Sequence, residues 1–116
     1  MHLHEARLSS IQQEGSFRLR GVLAGQRVIT LVDTSATHNF IDVRFVERRG
    51  IMTEEFEELR VQVADGYTLK CNKIVKNLPL LLNNYEFTAD YHVVNMGDLD
   101  IVLGMTLDAF IGRGHF

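Results

Sequence analysis

One cysteine, one proline and no run of basic residues in 116 residues remove several classes of protein before any motif is read. A lone Cys71 excludes an intrachain disulfide and suits a reducing compartment. A net charge of -3, with no basic stripe, argues against nucleic acid as a partner. The longest apolar runs, residues 78–82 and 101–103, fall far short of a bilayer span, which argues against a membrane partner. The opening Met-His-Leu-His-Glu-Ala lacks the apolar core of a secretory signal. What is present is a globular composition, 46% hydrophobic and 23% charged. A chain of this length buries roughly two-thirds of its unfolded surface without staples. The expectation is one soluble, cytoplasmic domain.

Hydrophobic patterning divides the chain. Residues 1–16 show no clear period and are expected to be a poorly structured arm. His2 and His4 have no third or fourth ligand at metal-site spacing, so no metal is expected. From Phe17 the pattern is β: Phe17, Leu19 and Leu23 precede a turn at Ala24-Gly25-Gln26, and residues 28–32 run back. Residues 40–50 read as one short helix, with Arg48 and Arg49 suiting its C-terminal dipole and Gly50 its stop. Glu54, Glu55, Glu57 and Glu58 read as a solvated loop edge. Leu59, Val61 and Val63 then alternate with polar residues into Asp65-Gly66, a strong two-residue hairpin signal. Pro79 suggests an edge or bend, and Asn83-Asn84 a tight turn. In the next strand His92 falls on the polar face and is expected to be exposed. Ile101-Val102-Leu103-Gly104 reads as a strand buried on both faces, with another backbone passing close to the glycine. Residues 105–111 suit a terminal helical turn or two.

The chemistry-bearing stretch is Val-Ile-Thr-Leu-Val-Asp-Thr-Ser-Ala-Thr-His-Asn-Phe-Ile, residues 28–41. Val28, Thr30 and Val32 alternate with Ile29, Leu31 and Asp33, and nearly all are apolar, so the strand is covered on both sides. It delivers one carboxylate, Asp33, to the mouth of a core. Desolvating an unpaired carboxylate is unfavourable by several kcal/mol, so such a group is hydrogen-bonded or used. Thr34-Ser35-Ala36-Thr37 is small and hydroxyl-rich, a loop rather than more strand.

At these residues the chain resembles the retropepsin-like aspartic proteases, especially those of gypsy-type LTR retrotransposon polyproteins. Residues 31–41 match that family's Leu-Ile/Val-Asp-Ser/Thr-Gly-Ala-Thr-His-Asn-Phe-Ile at all but one position. Val63-Ala64-Asp65-Gly66 looks like its flap tip, and residues 100–105 resemble its Asp-Ile/Val-Ile/Val-Leu-Gly-Met segment. The resemblance covers residues 17–111, leaving 112–116 as a tail. It implies a mainly β, closed acid-protease barrel with one or two short helices, assembled as a two-fold homodimer. It further implies Asp33 and Thr34 as the catalytic pair of each subunit. Ser35, Ala36, Ala64, Asp65, Gly66 and Tyr67 would meet a peptide or polyprotein substrate, and Ile101, Leu103 and Gly104 would be structural. Water is the nucleophile in that family, so no cofactor is implied. The family setting also places such a chain in the cytoplasm or in a retrotransposon particle.

Only one Asp-Thr motif is present, so a two-carboxylate mechanism needs a second copy. Ser35 departs from the family glycine, adding a hydroxymethyl group beside the substrate backbone. Met105-Thr106-Leu107-Asp108 departs from the usual Met-Asp-Trp-Leu. Three functions therefore stay open: an active homodimeric endopeptidase, a catalytically silent module that binds peptides or dimerises, and an unrelated small β-barrel in which Asp33 is a turn residue.

Overall fold

Two tight turns fix the register of the barrel. At Ala24-Gly25 both residues hold positive φ, 51° and 75°, and at Asn83-Asn84 the values are 48° and 65°. Positive φ at both central positions is the type I′ condition, whose twist matches that of the flanking strands. The computed structural model describes residues 4–8, 16–34, 36–63, 68–97 and 99–104. Among them are eight strands and one helix: β1 (His4–Leu8), β2 (Ser16–Leu23), β3 (Gln26–Asp33), β4 (Phe40–Asp42), α1 (Val43–Arg49), β5 (Glu54–Val63), β6 (Thr68–Leu82), β7 (Tyr85–Val94) and β8 (Ile101–Gly104).

The strands form one mixed sheet in the order β1-β5-β6-β2-β3-β8-β4-β7, and a further β6–β7 pairing closes it on itself. The closed ring is therefore β6-β2-β3-β8-β4-β7, with β5 and β1 extending from the long strand β6. Closure leaves the six ring strands without an open edge over their paired lengths. The mainly β, closed-barrel expectation holds.

Alternation sorts side chains into two cores. Leu23, Val28, Val32, Leu80, Phe87, Tyr91, Ile101 and Leu103 belong to one cluster, joined by Phe45 and Val46 from α1. Leu31, Phe40, Leu59, Val61, Cys71 and Val102 belong to a second. Strands β3 and β8 thus serve both cores, which is why both read as nearly continuous apolar runs.

Several expectations need correction. The N-terminal arm is not unstructured at His4–Leu8, which pairs in parallel with β5 from His4↔Leu59 to Leu8↔Val63. Backbone pairing to an open strand edge requires no hydrophobic period, so the sequence pattern was silent there. The segment expected as one helix starts as strand: Phe40 pairs with both Val102 and His92, and the helix begins only at Val43. The acidic run is not a loop, because Glu54–Val63 is continuous strand with a register shift between Glu55 and Leu59. His92 is buried, since the rings of His38, Phe40 and Phe56 pack around it, and the last four residues of β7 are buried on both faces. Pro79 does not break β6; the irregularity lies just before it, between Val75 and Leu78, with Asn77 at φ 53°. The hairpin tip at residues 64–67 and the terminal helix expected at 105–111 lie outside the described residues, as does the tail 112–116.

Candidate active site

Asp33 ends β3 in the middle of the sheet, opposite Ser16 of β2 and Gly104 of β8. Its side chain has no exposed surface. The main chain then turns sharply, with the amide of Ala36 donating to the carbonyl of Asp33 at 3.2 Å. Thr34 is half-buried and Ala36 buried. Ser35, between them, lies outside the described residues, as do Ala64, Asp65, Gly66 and Tyr67 of the expected flap.

The glycine of β8 fits the sequence reading closely. A Cβ at Gly104 would stand 2.6 Å from the carbonyl oxygen of His38 and 2.8 Å from that of Ala36. Real Cβ atoms do not approach that near, so the loop following Asp33 packs directly on the glycine backbone. Ile101 and Leu103 anchor the same strand in the barrel core. Asp33, Thr34, Ala36 and Gly104 are therefore brought together.

Several residues that brace this loop carried no functional reading from sequence. Asn39 accepts from the Gly104 amide through Oδ1 at 2.9 Å, donates from Nδ2 to the Asp90 carbonyl at 3.1 Å, and accepts the His92 amide at its own carbonyl at 2.9 Å. Thr37 Oγ1 and His38 Nδ1 are hydrogen-bonded at 2.8 Å. The His38 ring meets that of His92 edge-on at 5.2 Å, and Phe56 of β5 meets His92 in the same way at 5.1 Å. Asp42 caps α1 by accepting from the Arg44 amide, pairs with Arg44 Nε at 3.0 Å, and accepts the Met96 amide at 2.9 Å. An aspartate immediately before a helical pattern is an N-cap signal, so Asp42 was findable. Asn39 and His92 were not, because their partners come from strands distant in sequence.

Cys71 is buried, its thiol donates to the Lys73 carbonyl at 3.2 Å, and burial pushes it up, the reverse of an activated nucleophile. Among the described residues, no group of three or more His, Cys, Asp or Glu could hold a metal ion. Nor is any helix among them long and apolar enough to cross a membrane. The residues brought together here present the Asp33 carboxylate on a braced loop at the end of a central strand.

A family model described as retroviral aspartyl protease matches residues 12–110. Among solved structures, the retroviral protease-like domain of Ddi1 from Leishmania major is similar in fold, with a TM-score of 0.60 at 14% identity. That match covers 79% of this chain and 74% of the other. No curated protein matches by sequence.

Proposed function

The chain belongs to the retroviral aspartyl protease family, and from that premise we propose that it is an aspartic endopeptidase working as a two-fold homodimer. One observation carries the reading: Asp33 stands at the end of the central strand on a loop braced against Gly104 and Asn39. Two copies related by a two-fold axis would bring two such carboxylates together. Like charges at that distance cannot both ionise, so the pair holds one proton between them. The ionised carboxylate takes a proton from water as its oxygen attacks the peptide carbonyl carbon, and the protonated one donates toward the carbonyl oxygen. Collapse of the tetrahedral species breaks the C–N bond, with a proton passing to the amine. Thr34 would hydrogen-bond across the axis, Ala36 would lie beside the substrate, and Ala64-Asp65-Gly66-Tyr67 would close over it. The substrate class is peptide, in the family setting a polyprotein of which the domain is part, and the place of action the cytoplasm or a retrotransposon particle. No cofactor is needed, since water is the nucleophile.

A second reading, a silent module that dimerises or binds peptides, is favoured by the complete burial of Asp33 within one chain. A carboxylate that must face its symmetry mate requires that cover to move on dimerisation. Ser35 in place of the family glycine points the same way.

The deciding experiment is cleavage of a diverse peptide pool at mildly acidic pH by the wild-type chain, Asp33→Asn and Ser35→Gly. Cleavage by the wild type that vanishes in Asp33→Asn supports the endopeptidase. Cleavage only after Ser35→Gly means an intact scaffold silenced at one position. Cleavage that persists in pure Asp33→Asn removes Asp33 from the chemistry.

A further inference from the structure

The main chain leaves the barrel between Asp33 and Phe40, yet the sheet around that gap stays tied. Strand β4 runs antiparallel to β8, with Phe40 opposite Val102 and Ile41 opposite Ile101. On its other side β4 runs parallel to β7, with Phe40 opposite His92. Continuing both registers backward by two residues would set residue 38 opposite Gly104 and Asp90. The His38 backbone has left both ladders, and its carbonyl instead packs against Gly104. The two partners at that level are nevertheless filled: the Gly104 amide donates to Asn39 Oδ1 at 2.9 Å, and the Asp90 carbonyl accepts from Asn39 Nδ2 at 3.1 Å.

We propose that Asn39 is the positioning residue of the Asp33 loop, its side-chain amide standing in for a peptide group between β7 and β8. A carboxamide has the donor and acceptor of a peptide unit in one plane, and here each faces the matching partner. The substitution of side chain for main chain does two things at once. Both strands keep a hydrogen-bonded neighbour where the backbone has departed, so neither Gly104 nor Asp90 is left with an unpaired group. The main chain of residues 36–38 is released from both ladders, while Asn39 at its far end is pinned to two strands. Because Gly104 is also the residue paired with Asp33, the Asn39–Gly104 bond ties the exit of the loop to the strand that sets its entrance. The loop is held at both ends against the same glycine.

The inference rests on the endopeptidase reading only where it concerns rate. The test compares wild type, Asn39→Ala, Asn39→Asp and Asp100→Ala. Asp100 serves as the control, because its carboxylate accepts the Ile29 amide at 3.1 Å, a comparable side-chain bond to β3 away from the loop. In Asn39→Ala, hydrogen exchange at the Gly104 amide should accelerate by about ten-fold or more. In Asn39→Asp, which keeps the acceptor and loses the donor, Gly104 should stay protected. The carboxyl-carbon resonance of Asp33 should move in Asn39→Ala and not in Asp100→Ala. If the wild type cleaves peptides, kcat should fall by about ten- to a hundred-fold in Asn39→Ala with KM nearly unchanged, as expected of a misplaced reacting group. Asp100→Ala should lose stability without that kcat effect. Unchanged exchange at Gly104 in Asn39→Ala, or an unmoved Asp33 resonance, overturns the proposal. A wild type that cleaves nothing removes the protease reading alone, since the exchange and resonance measurements still decide the role of Asn39.

Discussion

Replacing Gly104 with alanine tests whether the loop after Asp33 is packed as described. A Cβ there would stand 2.6 Å from one backbone oxygen and 2.8 Å from another, where ordinary contact begins at 3.4 Å. The shortfalls are thus 0.8 Å and 0.6 Å, and both neighbours are backbone carbonyls rather than the ends of flexible side chains. No rotamer change relieves them, so either β8 or the loop must shift. Overpacking of this kind costs about 2–3 kcal/mol. For a domain of this size that lowers the melting temperature by roughly 10 °C. The chain has no tryptophan, so unfolding is best followed by far-UV circular dichroism. Gly97→Ala is the matched control: Gly97 has φ +75° but nothing within 4 Å, leaving only left-handed strain of about 1 kcal/mol. A Gly104→Ala protein no less stable than Gly97→Ala would refute the packing of residues 36–38 on β8. If the wild type is active, Gly104→Ala should also lose activity beyond its loss of stability, because the atoms displaced belong to the catalytic loop.

Other expected outcomes follow from the same structure. Tyr91 is fully buried, and its hydroxyl has no hydrogen-bond partner among the described residues; Tyr91→Phe should therefore be neutral or stabilising by up to about 1 kcal/mol in urea titration. Burial also pushes the Tyr91 phenol well up, so the unfolded chain ionises first and stability should fall as pH rises above the ordinary phenol value of about 10. Tyr91→Phe should flatten that alkaline decline, and a mutant curve parallel to wild type would contradict it. Asp42→Ala removes a helix cap and leaves the Met96 amide without its acceptor, for an expected loss of about 2–3 kcal/mol. Native Cys71 should resist thiol reagents and react once the chain is unfolded, because it is buried and its thiol is pushed up. Any cleavage should be fastest below neutrality and should fall more steeply than protein concentration on dilution, because the proposed site exists only in the dimer.

Local physics made much of this chain legible from sequence. The turns at Ala24-Gly25 and Asn83-Asn84 were marked by Gly25 and the two asparagines, residues that tolerate positive φ, and both fall where expected, with Ala24 carried into the same region at φ 51°. Nearly continuous apolar content announced strands covered on both faces, which holds for residues 30–33 and 101–103 but not for Ile29, which is exposed; the glycine ending the second strand announced a close backbone approach. The stop of α1 at Gly50, in the left-handed conformation after Arg48 and Arg49, was equally local. The family followed from a contiguous string around Asp33.

Tertiary structure decided the rest, because the causes lie far apart in sequence. A histidine on the polar side of an alternating strand is buried once the rings of His38, Phe40 and Phe56 close around it, and no property of residues 85–94 specifies that cover. Phe40-Ile41-Asp42 has a helical pattern but lies between β7 and β8, whose ladders outweigh a three-residue propensity. The strand at His4–Leu8 exists because β5 offers an edge. Asn39 is the clearest case: as a sequence position it is a polar residue before a strand, and only the meeting of β7 and β8 turns its amide into a peptide surrogate bonded to Gly104 and Asp90. The sequence by itself determined which residue carries the carboxylate, since that needs only a strand and a turn. Where the carboxylate stands, and what holds it there, was decided by strands that meet only when the barrel closes.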